Sequence, residues 1–478
     1  MSLTNRLLAV TTALALVTSC HSTKTTPTVP PGAPAQTRPE PRAPAAAEPR
    51  AGTITEVSIR AHMGFLASDA LNGRGSGTRD EWITATYIGA ALQRWGIEPL
   101  GDDGGFVQRI ATGRVLATAP PVLTIPGGTF THGRDMLVQS LGSGKASGPL
   151  VKVRAGSPVP AVAFALLPEG AAPDATTNAA AAVLVVETPQ VRSTWDAAGS
   201  RLPSSAPQRG GGAPQPRIVL SRAAYERLSM VADGTTISFD APVSPGYTWN
   251  AIGRVTGADP VRSSEVILLT AHLDHLGARG IGEDTIYNGA DDDASGTTAV
   301  LELAEAIAGG PRPKRTVVFA WFGSEESGGY GARHFLDAPP VPLERIAANL
   351  EFEMIARADD KVPPHTLWLT GYERSNLGPE LARQGARIVA DPHPDQNFFQ
   401  RSDNIQLACR GVIAQTVSSF GLHTDYHRPS DDLSKVDFAH MTDAIQSMFA
   451  PVMWLANSDF KPDWLPGQKP GPPSPCRQ

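Results

Sequence analysis

Cysteine is scarce in this chain, with Cys20, Cys409 and Cys476 the only examples among 478 residues. None of them stands in a Cys-x-x-Cys pair, so a zinc site built from thiolates is not expected. In an oxidising compartment Cys409 and Cys476 could form a disulfide, and elsewhere they would be two separate thiols. The sequence leaves both states open.

The chain also lacks a strong excess of charge and any long apolar run in its body. Its formal net charge of −6 is small for 478 residues, and no block of basic residues indicates a nucleic-acid partner. After the N-terminal segment no stretch is apolar enough to cross a bilayer. The hydrophobic content of 41% is nevertheless enough for a full core, which excludes a disordered chain.

The first 52 residues have the composition of an export signal and a tether. In residues 1–20, Arg6 precedes a short apolar run and small residues before Cys20, as in a secretory signal. The ending V-T-S-C resembles a bacterial lipobox, whose cysteine is lipidated, although an ordinary cleaved signal is the alternative. Residues 21–52 are rich in Pro, Ala and Thr, which predicts an extended tether. We therefore expect an exported protein of the cell envelope, facing periplasm or exterior, whose contact with the membrane is a lipid on Cys20.

The remaining chain predicts an α/β fold with an insertion. Amphipathic patterns predict helices at 55–68, 81–95 and 297–308. Short β-like runs, among them 182–186 and 217–220, alternate with Gly/Pro/Ser stretches and predict a β-rich inserted domain at 113–245. The catalytic domain would comprise 53–112 and 246–460, followed by a Pro-rich tail at 461–478.

From residue 250 onward strands and helices alternate. The apolar runs at 265–271, 316–322, 349–355 and 411–417 predict buried strands. This alternation predicts a mixed, largely parallel central sheet with helices on both faces. Ligands of such sheets bind beyond the carboxyl ends of the strands.

Each of these four strands is followed by histidines or carboxylates. The first leads to His272, Asp274 and His275 and then to N-G-A-D-D-D-A-S-G, and the second leads to Glu325 and Glu326. The third leads to L-E-F-E, with its second glutamate Glu353, and the fourth to H-T-D-Y-H-R-P-S-D. One such residue would be unremarkable, but four coincident strand ends indicate a site.

The residue types indicate a site for divalent metal ions. Imidazoles and carboxylates without thiolates suit zinc or another divalent first-row ion. The donors exceed what one tetrahedral ion needs and suit two ions that share a carboxylate. In the Glu325–Glu326 pair one carboxylate could bind metal while the other accepts a proton from water. Asp274 has the spacing to orient the imidazole of His272, and Asp431 could act similarly four residues after His427.

Five ordered motifs, taken together, resemble one known family. They are A-H-L-D-H, N-G-A-D-D-D-A-S-G, G-S-E-E-S-G-G-Y-G, L-E-F-E-M-I-A-R and H-T-D-Y-H-R-P-S-D. They are similar to the secreted co-catalytic zinc aminopeptidases of the bacterial leucyl aminopeptidase type, a family that includes glutamate carboxypeptidases and glutaminyl cyclases. The resemblance spans 53–112 and 246–457 and implies the zinc exopeptidase fold. The insertion loosely resembles a protease-associated domain, and a lineage-specific decoration is the alternative.

The resemblance also implies a role for each matching residue. It assigns His272 and Glu353 to one zinc ion, Glu326 and His427 to a second, and Asp292 to both. Glu325 would be the general base, and Tyr426 would polarise the carbonyl or stabilise the oxyanion. Many relatives have Asp in place of Glu353, and Glu351 is a competing assignment because alternation along a strand puts both on one side. Asp291 and Asp293 are expected to orient backbone or begin the helix.

The function expected from the resemblance is hydrolysis of peptides from their N-terminus, with two zinc ions per chain. A carboxypeptidase or dipeptidase and a single-zinc glutaminyl cyclase are the alternatives within the enzymes. A surface lipoprotein that binds peptides without catalysis is the alternative from another class. The sequence leaves open the preferred side chain and the oligomeric state.

Overall fold

The computed structural model describes residues 53–154, 158–205, 215–280, 282–471 and 476. The expected signal, lipidation site and tether lie outside the described residues. Among the residues that are described, every helix is either too short or too polar to cross a membrane. A disulfide joins Cys409 to Cys476, whose Cα atoms lie 5.4 Å apart, so the pairing that the sequence left open is formed.

Ten α-helices lie in the described part of the chain. In chain order they are α1 Glu56–Leu66, α2 Arg79–Arg94, α3 Pro189–Ser193, α4 Trp195–Gly199, α5 Arg222–Ser229, α6 Gly296–Gly309, α7 Tyr330–Asp337, α8 Leu377–Arg383, α9 Asn404–Cys409 and α10 Phe438–Asn457. Threonine caps begin the first two, because the side chain of Thr55 accepts the N–H of Ser58 and that of Thr78 accepts the N–H of Glu81. The three helices predicted from the sequence are present as α1, α2 and α6, with small shifts at their ends.

Twenty strands lie in the same described ranges. In chain order they are β1 Glu98–Pro99, β2 Val107–Ala117, β3 Val122–Ile125, β4 Gly128–Thr131, β5 Met136–Ser140, β6 Lys145–Lys152, β7 Phe164–Leu166, β8 Ala182–Val186, β9 Ser204–Ser205, β10 Arg217–Leu220, β11 Thr236–Asp240, β12 Val243–Val255, β13 Val266–His272, β14 Gly277–Ala278, β15 Ile286–Tyr287, β16 Thr316–Phe322, β17 Ile346–Phe352, β18 Leu367–Leu369, β19 Ile388–Ala390 and β20 Ala414–Ser418. They form two large sheets and one short hairpin, β14–β15.

The first sheet has a parallel centre and antiparallel margins. Its strands run in the order β19-β18-β20-β17-β13-β16-β12-β2-β9, with β1 beside β12. The central strands β20, β17, β13 and β16 pair in parallel, whereas β12, β2 and β9 continue the sheet antiparallel. The predicted mixed α/β fold is therefore confirmed, with the parallel pairing concentrated in the middle of the sheet.

Helices cover both faces of this sheet. Every residue of β13 is buried, and its side chains alternate between two cores. Ile267, Leu269 and Ala271 pack into the core that includes residues of α1, α6 and α10. Val266 and Leu268 pack into the core that includes residues of α7 and α9. A strand buried on both faces needs apolar residues at every position, which explains the continuous run in the sequence.

The second sheet is built from the middle of the chain and has its own core. Its order is β4-β3-β11-β6-β7-β8-β10-β5, and its core includes Phe130, Phe164 and Phe239. The chain enters and leaves this region through β2 and β12, which pair with each other in the first sheet. The predicted limits at 113 and 245 therefore fall inside these two strands. The division into domains and the likeness of this part to a protease-associated domain stay predictions.

Two predicted strands are displaced along the chain. The strand predicted at 349–355 is Ile346–Phe352, and the one predicted at 411–417 is Ala414–Ser418. After Phe352 the backbone leaves the ladder, since Met354 adopts a φ of 53° and its N–H donates to the Asp293 carboxylate at 3.1 Å. The strands predicted at 182–186, 217–220 and 316–322 have the predicted residues.

Candidate metal centre

The topology of the parallel strands brings the predicted metal ligands to one edge of the sheet. β13 ends at His272, and Glu353 follows directly after β17. Glu326 lies in the loop after β16, and His427 lies in the loop after β20. Asp292 belongs to an irregular turn, Ala290–Ser295, that leads into α6. Because the carboxyl ends of parallel strands share an edge, these five residues converge although they span 156 positions of the chain, from 272 to 427.

Their ligand atoms form two groups that share Asp292. His272 Nε2 lies 3.2 Å from Asp292 Oδ1, and the ligand atoms of these two residues and Glu353 all lie within 4.8 Å of one another. On the other side His427 Nε2 lies 3.1 Å from Asp292 Oδ2 and 3.2 Å from Glu326 Oε1. Asp292 thus presents one oxygen to each group, which is the arrangement of a bridging carboxylate.

The structure distinguishes Glu353 from its competitor Glu351. Glu351 lies within β17, is fully buried, and accepts hydrogen bonds from the hydroxyls of Ser402 and Thr416 and from the N–H of Asn404. Glu353 lies just beyond the strand and joins the first group of donors. The two glutamates therefore differ in their partners: the carboxylate of Glu351 is occupied by Ser402, Thr416 and Asn404, whereas that of Glu353 lies among the metal donors.

Electrostatic crowding at the centre favours a cation. Burial, together with the charges of the neighbouring Glu351 and Asp292, raises the pKa of Glu353 to about 8 against the opposing effect of His272. Burial lowers the pKa of His427, but the close carboxylates of Asp292 and Glu326 outweigh it and bring that pKa to about 9. The donors are imidazoles and carboxylates without thiolates, which fits zinc or a similar divalent ion.

The comparison with known families agrees with this geometry. Residues 250–452 match the model of peptidase family M28. That segment contains all five converging donors, from His272 to His427, and also the Glu325–Glu326 pair. Residues 250–452 are therefore similar to peptidase family M28.

Parts of the chain are similar to curated proteins. Leupeptin-inactivating enzyme 1 of Streptomyces exfoliatus is 31% identical over 134 residues, covering 27% of this chain and 28% of that protein. Aminopeptidase YwaD of Bacillus subtilis is 23% identical over 215 residues, covering 44% and 45%. The probable lipoprotein aminopeptidase LpqL of Mycobacterium tuberculosis is 29% identical over 143 residues, covering 30% and 26%. The chain thus spans between about a quarter and a half of the length of these relatives.

A solved structure shares the fold over most of the chain. BSAP, a zinc aminopeptidase from Bacillus subtilis, superposes with a TM-score of 0.51 at 18% identity. The match covers 86% of this chain and 97% of BSAP. At this identity the likeness concerns the fold alone, and it supports the mixed α/β architecture.

Asp293 is hydrogen-bonded to three segments of the chain at the candidate metal centre. Its carboxylate accepts the N–H of Gly296 at 3.0 Å, of Met354 at 3.1 Å and of His272 at 3.3 Å. The three donors belong to the start of α6, the segment after β17 and the end of β13. A fully buried carboxylate can remain in such a place because backbone N–H groups satisfy it. Asp293 therefore fixes the relative positions of ligand-bearing segments.

Asp291 and Asp431 fix the aspartate run from the opposite side. Asp291 accepts the N–H of Ala356 at 2.8 Å and contacts His423 Nε2 at 2.8 Å. The Asp431 carboxylate accepts the N–H of Asp291 at 3.0 Å and of Asp292 at 3.1 Å. The hydrogen-bond partners of Asp431 in the described structure are thus in the aspartate run, whereas the sequence suggested that it would assist His427.

Asp274 holds the residue expected to be the general base. The sequence suggested that it orients His272, and its backbone oxygen does lie 3.2 Å from His272 Nδ1. Its carboxylate accepts the N–H of Glu325 at 2.9 Å and the hydroxyl of Ser76. Burial raises the pKa of Glu325 well above its ordinary value, and neighbouring carboxylates including Asp403 raise it further. A raised pKa suits a group that must take up and release a proton.

A small pocket with both aromatic and polar walls adjoins the first group of donors. Glu353 and Tyr426 line it together with the aromatic rings of Trp368, Phe398 and Phe420, and Arg401 lines it too. The Tyr426 ring stacks on the His427 ring with centroids 3.9 Å apart. Burial and nearby carboxylates raise the pKa of Tyr426, so its hydroxyl keeps its proton and can donate a hydrogen bond.

Sequence reasoning gave no role at the centre to Arg74, Glu81 or His275. The buried Arg74 guanidinium donates to the backbone oxygens of Leu273, Asn288 and Gly289, close to two donor-bearing segments. The buried Glu81 accepts the N–H of Ser324 at 2.7 Å, directly before Glu325. Arg74 lies in the glycine-rich stretch L-N-G-R-G-S-G-T, and its burial depends on contacts about 200 residues away. His275 was visible in the H-L-D-H motif.

Proposed function

We propose that the protein is a zinc-dependent aminopeptidase that binds two zinc ions per chain. The observation that carries this proposal is the pair of donor groups that share Asp292, with Glu325 beside them. Curated proteins similar to parts of the chain include an aminopeptidase of Bacillus subtilis and a probable lipoprotein aminopeptidase of Mycobacterium tuberculosis. Similarity to a peptidase family supports peptides as the substrate class.

The residues of this chain divide the chemical tasks between them. His272, Asp292 and Glu353 would hold one zinc ion, and Asp292, Glu326 and His427 the other. When bound, such ions supply Lewis-acid polarisation of a carbonyl and lower the pKa of water towards about 7.

Glu325 then performs the proton transfers. It takes a proton from the attacking water and delivers it to the leaving amine. The Asp274 carboxylate keeps Glu325 in place, because it accepts the backbone N–H of Glu325 at 2.9 Å. Tyr426 stabilises the developing oxyanion through its protonated hydroxyl.

The pocket supports a preference for apolar side chains. Its aromatic lining from Trp368, Phe398, Phe420 and Tyr426 suits an apolar or aromatic residue next to the scissile bond. The position of Arg401 at the pocket favours a second candidate, a carboxypeptidase. A cation there could bind the terminal carboxylate of a substrate, as a carboxypeptidase requires. The two functions differ in which end of a peptide is removed.

A variant series with a substrate panel tests this proposal. Purified protein is assayed on aminoacyl-amides, N-blocked peptides and C-blocked peptides, with chelator and with added zinc. We expect zinc-dependent cleavage that requires a free N-terminus. Trimming that requires a free C-terminus would identify the carboxypeptidase, and a bound-metal content of one ion per chain would favour the glutaminyl cyclase. No hydrolysis on any substrate would support a protein that only binds peptides.

Glu325→Gln tests the general base. The variant should lose about 10²–10⁴-fold in kcat while keeping the wild-type metal content, because general-base catalysis contributes about that much. Glu344→Gln is the matched control, since Glu344 is exposed and outside the centre. If Glu325→Gln retained kcat within tenfold of this control, Glu325 would not be the base.

The chain is proposed to be exported and anchored through a lipid on Cys20. The signal-like residues 1–20 and the resemblance of V-T-S-C to a lipobox support this. The printed name of LpqL, a probable lipoprotein aminopeptidase, is consistent with it. In a bacterial host the wild-type chain should fractionate with membranes, and Cys20→Ala should release it or block its processing. Equal partition of both forms would contradict the anchor.

The β-rich part at 113–245 is proposed to control access of substrates or contact other proteins.

A further inference from the structure

We propose that His275 is a direct ligand of the second zinc ion, in addition to Asp292, Glu326 and His427. The inference rests on the proposed function, since it concerns the loaded two-metal centre. Family resemblance assigned no ligand role to this histidine. The argument for it comes from the contacts of its ring.

The distances around His275 are those of atoms that converge on a common point. Its Nδ1 lies 2.7 Å from Glu326 Oε1 and 3.8 Å from Asp292 Oδ2. His427 Nε2 lies 3.1 Å and 3.2 Å from the same two oxygens. Two donors bound at about 2.1 Å to one zinc ion at the tetrahedral angle lie about 3.4 Å apart. The four distances bracket this value, so both histidines face the same position.

The ring of His275 lacks the partners that a buried imidazole normally has. The residue is completely buried, and neither ring nitrogen has a hydrogen-bond partner among the residues that the structure describes. Glu326 Oε1 is likewise without a partner there, so its 2.7 Å contact with Nδ1 lacks the alignment of a hydrogen bond. Buried polar atoms are generally satisfied, and a metal ion between these two atoms would satisfy both.

The surrounding backbone holds the ring in this place. The N–H of His275 donates to the backbone oxygen of Arg74 at 3.0 Å, and its own oxygen accepts the N–H of Ser76 at 3.2 Å. The ring lies against Gly289, where an added Cβ would come within 2.6 Å of two ring carbons. Gly289 also has a φ of 59°, which glycine adopts without the steric cost that other residues incur. The position of the ring therefore depends on glycine at 289.

A fourth protein ligand would make the two metal positions unequal. Zinc is usually four-coordinate, and sites whose four positions are all protein donors are characteristically structural. The second ion, with His275, Asp292, Glu326 and His427, would have a full set of protein ligands. The first ion, with His272, Asp292 and Glu353, would keep one position free. The structure thus assigns substrate binding to the first position, which also adjoins the pocket lined by Trp368, Phe398 and Phe420.

The test measures metal binding by His275→Ala, with zinc alone as the probe. Removing residues that only support a ligand typically lowers metal affinity about 10–100-fold, so removal of a direct ligand should cost more than about 100-fold. Zinc content after dialysis and competition with a chelator give the affinity of each ion. We expect His275→Ala to lose the second ion and retain the first. A loss in affinity for the second ion of less than 100-fold would overturn the proposal.

His132→Ala is the matched control. His132 is also buried, but it lies in the region of the second sheet and its ring is hydrogen-bonded there, with Nδ1 accepting the N–H of Val138. This control separates metal loss at the centre from the general effect of removing a buried histidine. It should bind zinc as the wild type does.

A measurement on the wild-type protein avoids any failure of the variant to fold. With ¹⁵N-labelled histidine, zinc titration should shift ring nitrogens of three residues, His272, His275 and His427. Shifts confined to His272 and His427 would overturn the proposal. If the wild type bound a single ion, the two-ion proposal would be wrong, whereas the signal of His275 would still report whether it contacts that ion.

Discussion

Alanine variants of Glu351 and Glu353 should impair different properties, zinc binding in one case and stability in the other, although the two glutamates are only two residues apart. Glu353→Ala removes a proposed metal ligand. Glu351→Ala removes an acceptor for Ser402, Thr416 and Asn404. The first change should therefore weaken zinc binding, and the second should lower the stability of the metal-free protein.

The expected magnitudes follow from these contacts. The hydroxyls of Ser402 and Thr416 can rotate to other acceptors, but the N–H of Asn404, 2.7 Å from Glu351, cannot. One buried N–H without an acceptor costs about 1–3 kcal/mol, so Glu351→Ala should lower the free energy of unfolding by at least that amount. Glu353→Ala should lower the affinity for the first zinc ion more than about 100-fold, or about 2.7 kcal/mol.

Two assays on both variants give a decisive comparison. Denaturant unfolding of the metal-free proteins measures stability, and zinc competition with a chelator measures affinity. We expect Glu351→Ala to bind zinc within tenfold of the wild type. If Glu351→Ala lost the ion and Glu353→Ala kept it, the assignment of the ligand would be reversed.

Two further predictions concern stability. Burial raises the pKa of Glu302 from its ordinary 4.5 to about 7, so the contribution of this one group to stability should fall as pH rises from 4.5 to 7, by about 1.4 kcal/mol per pH unit and about 3 kcal/mol in all. Burial also lowers the pKa of His62, whose Nε2 lies 3.8 Å from the Glu302 carboxylate, to about 4. The contribution of His62 to stability therefore has the opposite slope, and it is lost as pH falls from 6.5 to 4. Glu302→Gln should remove the first slope, and an advantage over the wild type that did not grow between pH 5 and pH 8 would refute this. The disulfide Cys409–Cys476 closes a loop of 67 residues, so Cys476→Ser should lower the free energy of unfolding by about 4 kcal/mol, as denaturant titration would measure. An unchanged unfolding midpoint would show that the bridge adds nothing.

Local sequence patterns were sufficient to predict an element whose structure depends only on neighbouring residues. The strand Thr316–Phe322 and the caps at Thr55 and Thr78 depend on neighbouring residues, and the sequence predicts the strand completely. The strand at 346–352 was displaced because its end depends on Asp293, sixty residues earlier, which takes the N–H of Met354. The apolar pattern N-L-E-F-E-M-I continues past that point and carries no signal of the break.

The supporting contacts of the centre depend on still longer distances along the chain. Arg74 donates hydrogen bonds to the backbone oxygens of residues 273, 288 and 289. The Asp431 carboxylate accepts the N–H groups of Asp291 and Asp292. A sequence gives residue types at these positions but not which pairs meet, because the meeting depends on how the sheet is wound. The ligand candidates were recognisable because the strands themselves deliver them to one edge.

The pairing of β2 with β12 has a consequence for how this protein could change over evolutionary time. Ala117 lies opposite Val243, and the N–H of Thr118 donates to the oxygen of Pro242 at 2.8 Å. The chain therefore departs from the first sheet and returns to it at neighbouring points, so that a short hairpin could join β2 directly to β12. Genetic gain, loss or exchange of the intervening stretch would leave the order of strands that carry the metal donors unchanged.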